Sequence, residues 1–284
     1  MTDVIRYPAE MSRIAGELRL RGNTIGFVPT MGALHEGHVS LIRRSVAEND
    51  VTVVSVFVNP TQFGPGEDYE RYPRTLDDDV EICVQEGVDF VFAPQPDDMY
   101  PRSMTTWVEV GGDLVNRMCG LSRPGHFRGV ATVCAKLFNI VRPHTAYFGQ
   151  KDYQQYLVVR RLVEDLNFPM EIALVPVVRE KDGLARSSRN RYLRPGERES
   201  ALSLYRALTK ARDAVLAGET DASALLALMA SEIESAGAEL DYAVVADPVT
   251  LEDKERVDGP VLLAVAAWVG DVRLIDNFLV DPPQ

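Results

Sequence analysis

The sequence predicts an α/β fold, a parallel sheet with flanking helices followed by a smaller α+β C-terminal domain. Three observations carry this reading. Short apolar runs rich in β-branched residues alternate with helical patterns up to Arg179. Those runs are apolar at successive positions, as strands covered on both faces must be. Beyond Arg179 the order changes to helices and then a series of strands.

The elements follow in order. NTIGFVP (23–29), VTVVSVFV (51–58), VDFVFA (88–93), TAYFG (145–149) and IALVPVV (172–178) read as strands. Val39, Ile42 and Val46 fall on one helical face. So do Val130, Val133, Cys134, Leu137, Ile140 and Val141, at the three-and-four spacing of an amphipathic helix. Strand, helix, strand at this rhythm implies right-handed crossovers and an open, Rossmann-like sheet. A polar stretch, EKDGLARSSRNRYLRPGERE, then leads into Ala/Leu-rich helical segments near 196–217 and 221–236. DYAVVA, PVLLAVAAWV and VRLIDNFLV close the chain as strands, with turn signals at Asp258-Gly259 and Gly270-Asp271. The expected domains are therefore 1–177 and 178–284.

Composition narrows the function. With 46% apolar and 25% charged residues, the 284-residue chain can bury two ordinary cores. A net charge of −12 argues against broad binding to nucleic acid, although a local patch can still hold a small anion. No N-terminal apolar h-region is present, and no apolar run approaches the roughly 18 residues of a membrane span. Cys83, Cys119 and Cys134 are scattered and form no CxxC pair, which fits thiols in a reducing cytoplasm.

The stretch VPTMGALHEGHVSLIRRS (28–45) places two histidines three residues apart where a strand turns into a helix. Ligands of open α/β sheets sit beyond the carboxyl ends of the strands. Helix N-termini there offer unpaired N–H groups and a positive dipole end to phosphate oxygens. Gly32 and Gly37 allow close approach of the backbone. His35 and His38 project from one side of the first turn and can stabilise the charge that grows as a phosphoanhydride breaks. A zinc site would need a third protein ligand, and the spacing is not HExxH. Two imidazoles that only cap the helix are the plainer alternative. His126 and His144 lie far off in the sequence with no evident partner.

TMGALHEGH after a first strand resembles the HxGH signature of a nucleotidyltransferase superfamily. FVNPTQF (57–63), FGQKDYQQ (148–155) and RSSRN (186–190), in this order, narrow the resemblance to the pantoate–β-alanine ligase (pantothenate synthetase) family. The likeness runs over nearly the whole chain. It implies condensation of pantoate with β-alanine through a pantoyl-adenylate intermediate, with release of AMP and pyrophosphate. Rival readings are another nucleotidyltransferase of the superfamily and a nucleotide-binding protein without turnover.

By the same resemblance, ATP is held by Met31, Gly32, Ala33, Leu34, His35, Glu36, Gly37 and His38, by Gly149, Gln150, Lys151 and Asp152, by Val178, and by Arg186, Ser187, Ser188 and Arg189. His38 is the leading catalytic residue, supported by His35, Lys151, Ser187, Ser188 and Arg189. Lys151 suits a phosphate as a point charge and Asp152 the ribose hydroxyls. Gln62 and Gln155 are expected to bind pantoate, and Gln62 also β-alanine. Mg²⁺ is expected to arrive with ATP rather than at a protein metal site. The resemblance further implies a homodimer. Cysteine usage, charge and hydropathy lead us to expect a cytoplasmic protein without nucleic-acid or membrane partners, and the basic loop at the domain junction a C-terminal domain that closes over the ATP site. Arg186 departs from the family's usual methionine and adds a charge to that loop. Read without the family, Asn59 is turn chemistry and Asp77-Asp78-Asp79 a favourable charge at a helix start. Arg123 is a candidate for a substrate carboxylate or phosphate, with His126 and Arg128 organising its loop.

Overall fold

A computed structural model describes residues 2–283 of the chain. It divides into two compact units. The first holds the residues through Gly111 together with Arg123–Gly149 and Gln154–Pro176. The second holds Gly112–Ser122, Gln150–Tyr153 and the residues from Val177 onward. The division is thus not a single cut near 177, because two short internal segments group with the C-terminal residues.

In the first unit the strands are β1 (Asp3–Ile5), β2 (Ile25–Thr30), β3 (Val51–Val56), β4 (Phe90–Phe92), β5 (Thr145–Gly149) and β6 (Glu171–Val175). They form one sheet in the order β1-β4-β3-β2-β5-β6, and every pair is parallel. Helices α1 (Pro8–Leu20), α2 (Glu36–Glu48), α3 (Leu76–Gln85), α4 (Pro96–Met99), α6 (His126–Val141) and most of α7 (Tyr153–Asp165) accompany it. Strand parity explains the layering. Phe27, Val53, Phe92, Ala146 and Phe148 point into one core with residues of α1, α6 and α7. Val28, Val54, Val91 and Tyr147, one position away, point into the other with residues of α2 and α3. Two-sided burial is why these strands read as unbroken apolar runs.

β1 and α1 fall outside the segments assigned from sequence. Three-residue β1 is defined by its pairing with β4, whereas α1 does carry Met11, Ile14, Ala15 and Leu18 at helical spacing on its core face. Val46, expected on the core face of α2, is 38% exposed, whereas Val39 and Ile42 are buried. The strand read over 172–178 ends at Val175, where Pro176 cannot donate to a ladder.

The second unit contains α5 (Cys119–Ser122), α8 (Arg198–Leu216), α9 (Ala222–Ser235) and the antiparallel strands β7 (Glu239–Ala246), β8 (Val261–Val269) and β9 (Val272–Val280). Ala201, Leu204, Leu208, Ala211 and Val215 repeat at helical spacing along α8 and pack on the central strand β8. Among the described residues, no helix is long and apolar enough to cross a membrane. Cys83, Cys119 and Cys134 are all buried thiols, and burial pushes the Cys83 and Cys134 thiols up to about 12.

His144 has a structural partner that sequence reading missed. Its Nδ1 accepts the Ile25 amide at 2.9 Å, tying the approach to β5 onto the start of β2. Burial, then the nearby Arg19 charge, hold this imidazole below its ordinary pKa. The unfolded chain therefore takes up the proton first as pH falls below about 6.5. The stabilisation is complete above that pH and is lost as pH drops through the depressed native value. His144→Asn keeps an acceptor and removes the titration. We expect its urea midpoint to fall less than that of the unmodified chain between about pH 7 and about pH 5. Parallel profiles would contradict the assignment.

Candidate active site

Chain order reverses beside β2: β3, β4 and β1 lie to one side, β5 and β6 to the other. Such switch points create the ligand crevice of open α/β sheets. Met31–His38 leaves β2 at that place. Thr30 opens the turn, donating through Oγ1 to Ser55 O at 2.6 Å and accepting the Gly32 amide at 3.1 Å. Gly32 and Ala33 then adopt left-handed conformations, with φ of 80° and 49°. A side chain at Gly32 would stand 2.9 Å from both Asp79 Oδ2 and Val56 Cγ1, so glycine is required twice over.

The turn is clamped by Asp79. Its carboxylate accepts the Ala33 amide at 3.0 Å and the Leu34 amide at 2.7 Å, one on each oxygen, and the residue is 1% exposed. Thr75 donates to the same group at 3.3 Å. Burial pushes the carboxyl above its ordinary value, against the pull of the two amides. The acidic run is therefore not only a favourable charge at a helix start. Asp77 and Asp78 are exposed and fit that description, but Asp79 holds the loop. Among the described residues, no three His, Cys, Asp or Glu side chains gather into a group that could hold a metal.

The two histidines both cap the helix and face one another. His35 is the N-cap of α2, and its Nδ1 accepts the Gly37 amide at 3.1 Å. His38 Nδ1 reaches back to accept the His35 amide at 3.3 Å, completing a reciprocal box. The rings lie 4.1 Å apart, centroid to centroid, tilted by 34°. This network assigns the tautomers: a nitrogen that accepts an N–H carries no proton, so each neutral ring holds its hydrogen on Nε2. The cap thus orients both rings and leaves Nε2 as the proton-bearing nitrogen of each. Glu36, between them, pairs its side chain with Arg43 at 2.8 Å.

The Asn59–Gln62 turn is equally determined. Tyr100 OH donates to Asn59 Oδ1 at 2.7 Å, and Asn59 Nδ2 donates to Gln62 Oε1 at 2.9 Å. Gln62 therefore keeps its amide donor, Nε2, on the Met31 side, 3.1 Å from Sδ. Asn59 does cap the 3₁₀ turn Pro60–Gln62, as turn chemistry predicts, but it also orients the neighbouring amide. Gly129 of α6 permits the packing: an added Cβ would lie 2.3 Å from Thr61 O and 2.7 Å from Gln62 Cα. Arg123 is committed here too. Its guanidinium donates to both Glu67 oxygens at 2.8 and 2.6 Å, meets His126 Nε2 at 3.1 Å and reaches Gln62 O at 3.3 Å. His126 Nδ1 donates to the same carbonyl at 2.8 Å. Arg123 and His126 thus organise the Gln62 turn, and Arg128 stacks on Trp107, 5.0 Å from its ring centre.

The remaining predicted residues fall as follows. Gly149 ends β5, and Gln155 is half-buried in the first turn of α7. In the second unit, Lys151 Nζ lies 3.5 Å from Asp152 Oδ1 within the 3₁₀ turn Gln150–Asp152. Val178 O accepts the Arg186 amide at 2.9 Å beside the Arg179–Ala185 bridge, which closes a small hairpin. Ser187 caps the 3₁₀ turn Ser188–Tyr192, its hydroxyl accepting the Arg189 amide at 3.3 Å. Arg186 is 44% exposed and stands 3.9 Å from Glu180, so replacing an apolar residue here leaves no buried charge.

A family model described as pantoate-beta-alanine ligase matches residues 3–279. A pantothenate synthetase from Moorella thermoacetica is 53% identical over 280 residues, spanning 98% of this chain and 99% of the relative. One from Acidobacterium capsulatum is 57% identical over 282 residues, spanning 97% and 94%. A crystal structure of pantothenate synthetase from Thermus thermophilus superposes with a TM-score of 0.93 at 45% identity, covering 99% of this chain and all of that one. That of a pantoate-beta-alanine ligase from Francisella tularensis, complexed with beta-gamma ATP and beta-alanine, gives 0.83 at 37% identity, covering 98% of each.

Proposed function

The chain belongs to the pantoate–β-alanine ligase family, and from that premise we propose how its residues perform the ligation. The protein is an enzyme that condenses pantoate with β-alanine, using ATP as a substrate. A carboxylate and an ammonium at neutral pH form a salt, not an amide, so the carboxylate must first acquire a leaving group. An oxygen of pantoate's carboxylate attacks the α-phosphorus of ATP, the bond to the β-phosphate bridging oxygen breaks, and pyrophosphate leaves. The unprotonated amine of β-alanine then attacks the acyl carbon of the adenylate, AMP departs with the bonding electrons, and the nitrogen gives up one proton to solvent to leave the neutral amide. No protein nucleophile is needed, which leaves the chain to position and to stabilise charge.

The observation that carries this reading is the reciprocal capping box of His35 and His38 at the head of α2, which leaves Nε2 to bear the hydrogen of each neutral ring. His38 donates to the departing pyrophosphate and His35 to a neighbouring phosphate oxygen. The backbone of Met31–Gly37 and the segment Gly149–Asp152 hold the nucleotide, Asp152 through its ribose and Lys151 as a point charge on phosphate. Val178 borders the nucleotide through its backbone, and Arg186, Ser187, Ser188 and Arg189 add hydroxyls and guanidinium groups to the triphosphate. Mg²⁺ enters on the phosphates of ATP. The buried member of the acidic run is already occupied by two amides, which supports that route.

Gln62 and Gln155 bind pantoate, and Gln62 then meets β-alanine. Because Asn59 engages Oε1, Gln62 offers the ligand an N–H, the polarity a carboxylate needs. Gln62→Ala is expected to weaken pantoate at least tenfold, the loss of one hydrogen bond to a charged group, and ATP little. Equal losses in calorimetric titrations would count against this pocket. The same reading assigns a cytoplasmic homodimer, which sedimentation at twice the chain mass would support. The decisive assay supplies purified protein with substrates in turn. Pyrophosphate should form with ATP and pantoate alone, whereas steady AMP and pantothenate should require β-alanine as well. Pyrophosphate formation without pantoate would overturn the sequence of steps.

A further inference from the structure

Strand β9 carries two polar residues in succession, Asp276 and Asn277, each 3% exposed. Burying a carboxylate and an amide costs free energy unless both are satisfied, and apolar residues would serve a strand core better. What these two hold explains them. Successive side chains leave a strand on opposite faces. Asp276 shares its face with Val272, Leu274 and Val280 of the second unit's core. There Arg179 donates to its two oxygens at 2.6 and 2.9 Å, with the guanidinium 4.8 Å from the ring centres of both Tyr205 and Phe278. The same guanidinium donates to Gly183 O at 3.1 Å, inside the hairpin that Val178 and Arg186 close.

The other face of the strand meets the lysine segment. Asn277 Nδ2 donates to Gln150 O at 2.9 Å and Lys151 O at 3.0 Å, and its Oδ1 accepts from Gln150 Nε2 at 3.2 Å. The two residues are joined, since the Asn277 amide donates to Asp276 Oδ1 at 2.8 Å. A three-residue 3₁₀ turn has almost no ladder of its own, so Gln150–Asp152 depends on such outside partners. These contacts also account for the grouping of Gln150–Tyr153 with the C-terminal residues rather than with the strand they follow.

We propose that Asp276 and Asn277 are positioning residues for the adenylation step. Asn277 sets the backbone from which Lys151 reaches the phosphates. Asp276, through Arg179, sets the base of the hairpin that leads from Val178 to Ser187, Ser188 and Arg189. One strand thereby keeps two phosphate-handling segments in register. This inference rests on the phosphate role proposed for Lys151 and Arg189.

A double-mutant cycle separates the two ideas. Pyrophosphate release is measured in single turnover with ATP and pantoate for Asn277→Ala, Lys151→Ala and the double variant, with unfolding midpoints recorded alongside. Asn277→Ala is expected to slow release about 10- to 100-fold, the scale of a misplaced catalytic group. Added to Lys151→Ala it should cost little more. Full additivity, or near-wild-type release by Asn277→Ala, would overturn the proposal. A silent Lys151→Ala would instead overturn the role of the lysine, and with it the premise. Should Asn277→Ala fail to fold, Asn277→Ser runs the same cycle. Asp276→Asn with Arg189→Ala tests the hairpin side, where non-additive loss is again the supporting result and additivity the contrary one.

Discussion

His38→Ala is expected to slow pyrophosphate release at least 100-fold, about the cost of removing one preorganised donor to a developing charge. The capping box makes a sharper test possible. His38 has two duties on two nitrogens: Nδ1 accepts the His35 amide, and Nε2 carries the donor hydrogen. Alanine removes both, so it should also lower stability by about 1 kcal/mol, the usual worth of a cap. Asparagine places an acceptor near the Nδ1 position and nothing near Nε2. His38→Asn should therefore retain the unfolding midpoint while losing activity as deeply as alanine. Glutamine, which reaches toward the Nε2 position, should recover part of the rate. Near-wild-type pyrophosphate release by the alanine or asparagine variant would remove His38 from the chemistry.

The second large effect belongs to Asp79, which touches no proposed ligand. Its two oxygens each receive one amide of the turn before His35. Asp79→Asn preserves shape and one acceptor but turns an NH₂ group toward the other amide, leaving two donors opposed in a buried place. Stability should fall by about 1–3 kcal/mol, the penalty for a buried polar group without its partner. Adenylation should fall at least tenfold, because Ala33 and Leu34 lead directly into the capped histidines and small misplacements are costly there. Asp77→Asn and Asp78→Asn, at exposed positions of the same turn, should stay within about 0.5 kcal/mol. If all three substitutions behaved alike, the acidic run would be a helix-start charge and no more.

The contrast between Asp78 and Asp79 shows how far sequence reading extends. Adjacent, identical residues differ in role because one meets amides 45 and 46 positions earlier in the chain. No local periodicity records such a pairing. His144 is likewise without an evident partner in sequence, and its contact with the Ile25 amide spans 119 residues. His126 has Arg123 close by, but its bond to the Gln62 carbonyl spans 64. Asn277, inside a run that reads simply as a strand, holds carbonyls 126 and 127 residues away. Val46 errs in the opposite direction: it has the right spacing for the core face of α2, yet the core ends before reaching it.

By itself, then, the sequence determined most of the strands and the helices α2, α6, α8 and α9, that the first strands form a doubly covered parallel sheet, and which motifs place the chain in its family. These properties reside in burial patterns of period two and 3.6 and in residues close together along the chain. Tertiary structure alone decided strand order, the grouping of Gly112–Ser122 and Gln150–Tyr153 with the second unit, the tautomers of His35 and His38, and the amide orientation of Gln62. Strand order and grouping are set by pairings distant in sequence, whereas the tautomers and the amide orientation depend on where hydrogen-bond donors stand in space. A hydrogen bond depends on distance and direction, and the pattern of residue types along a chain specifies neither.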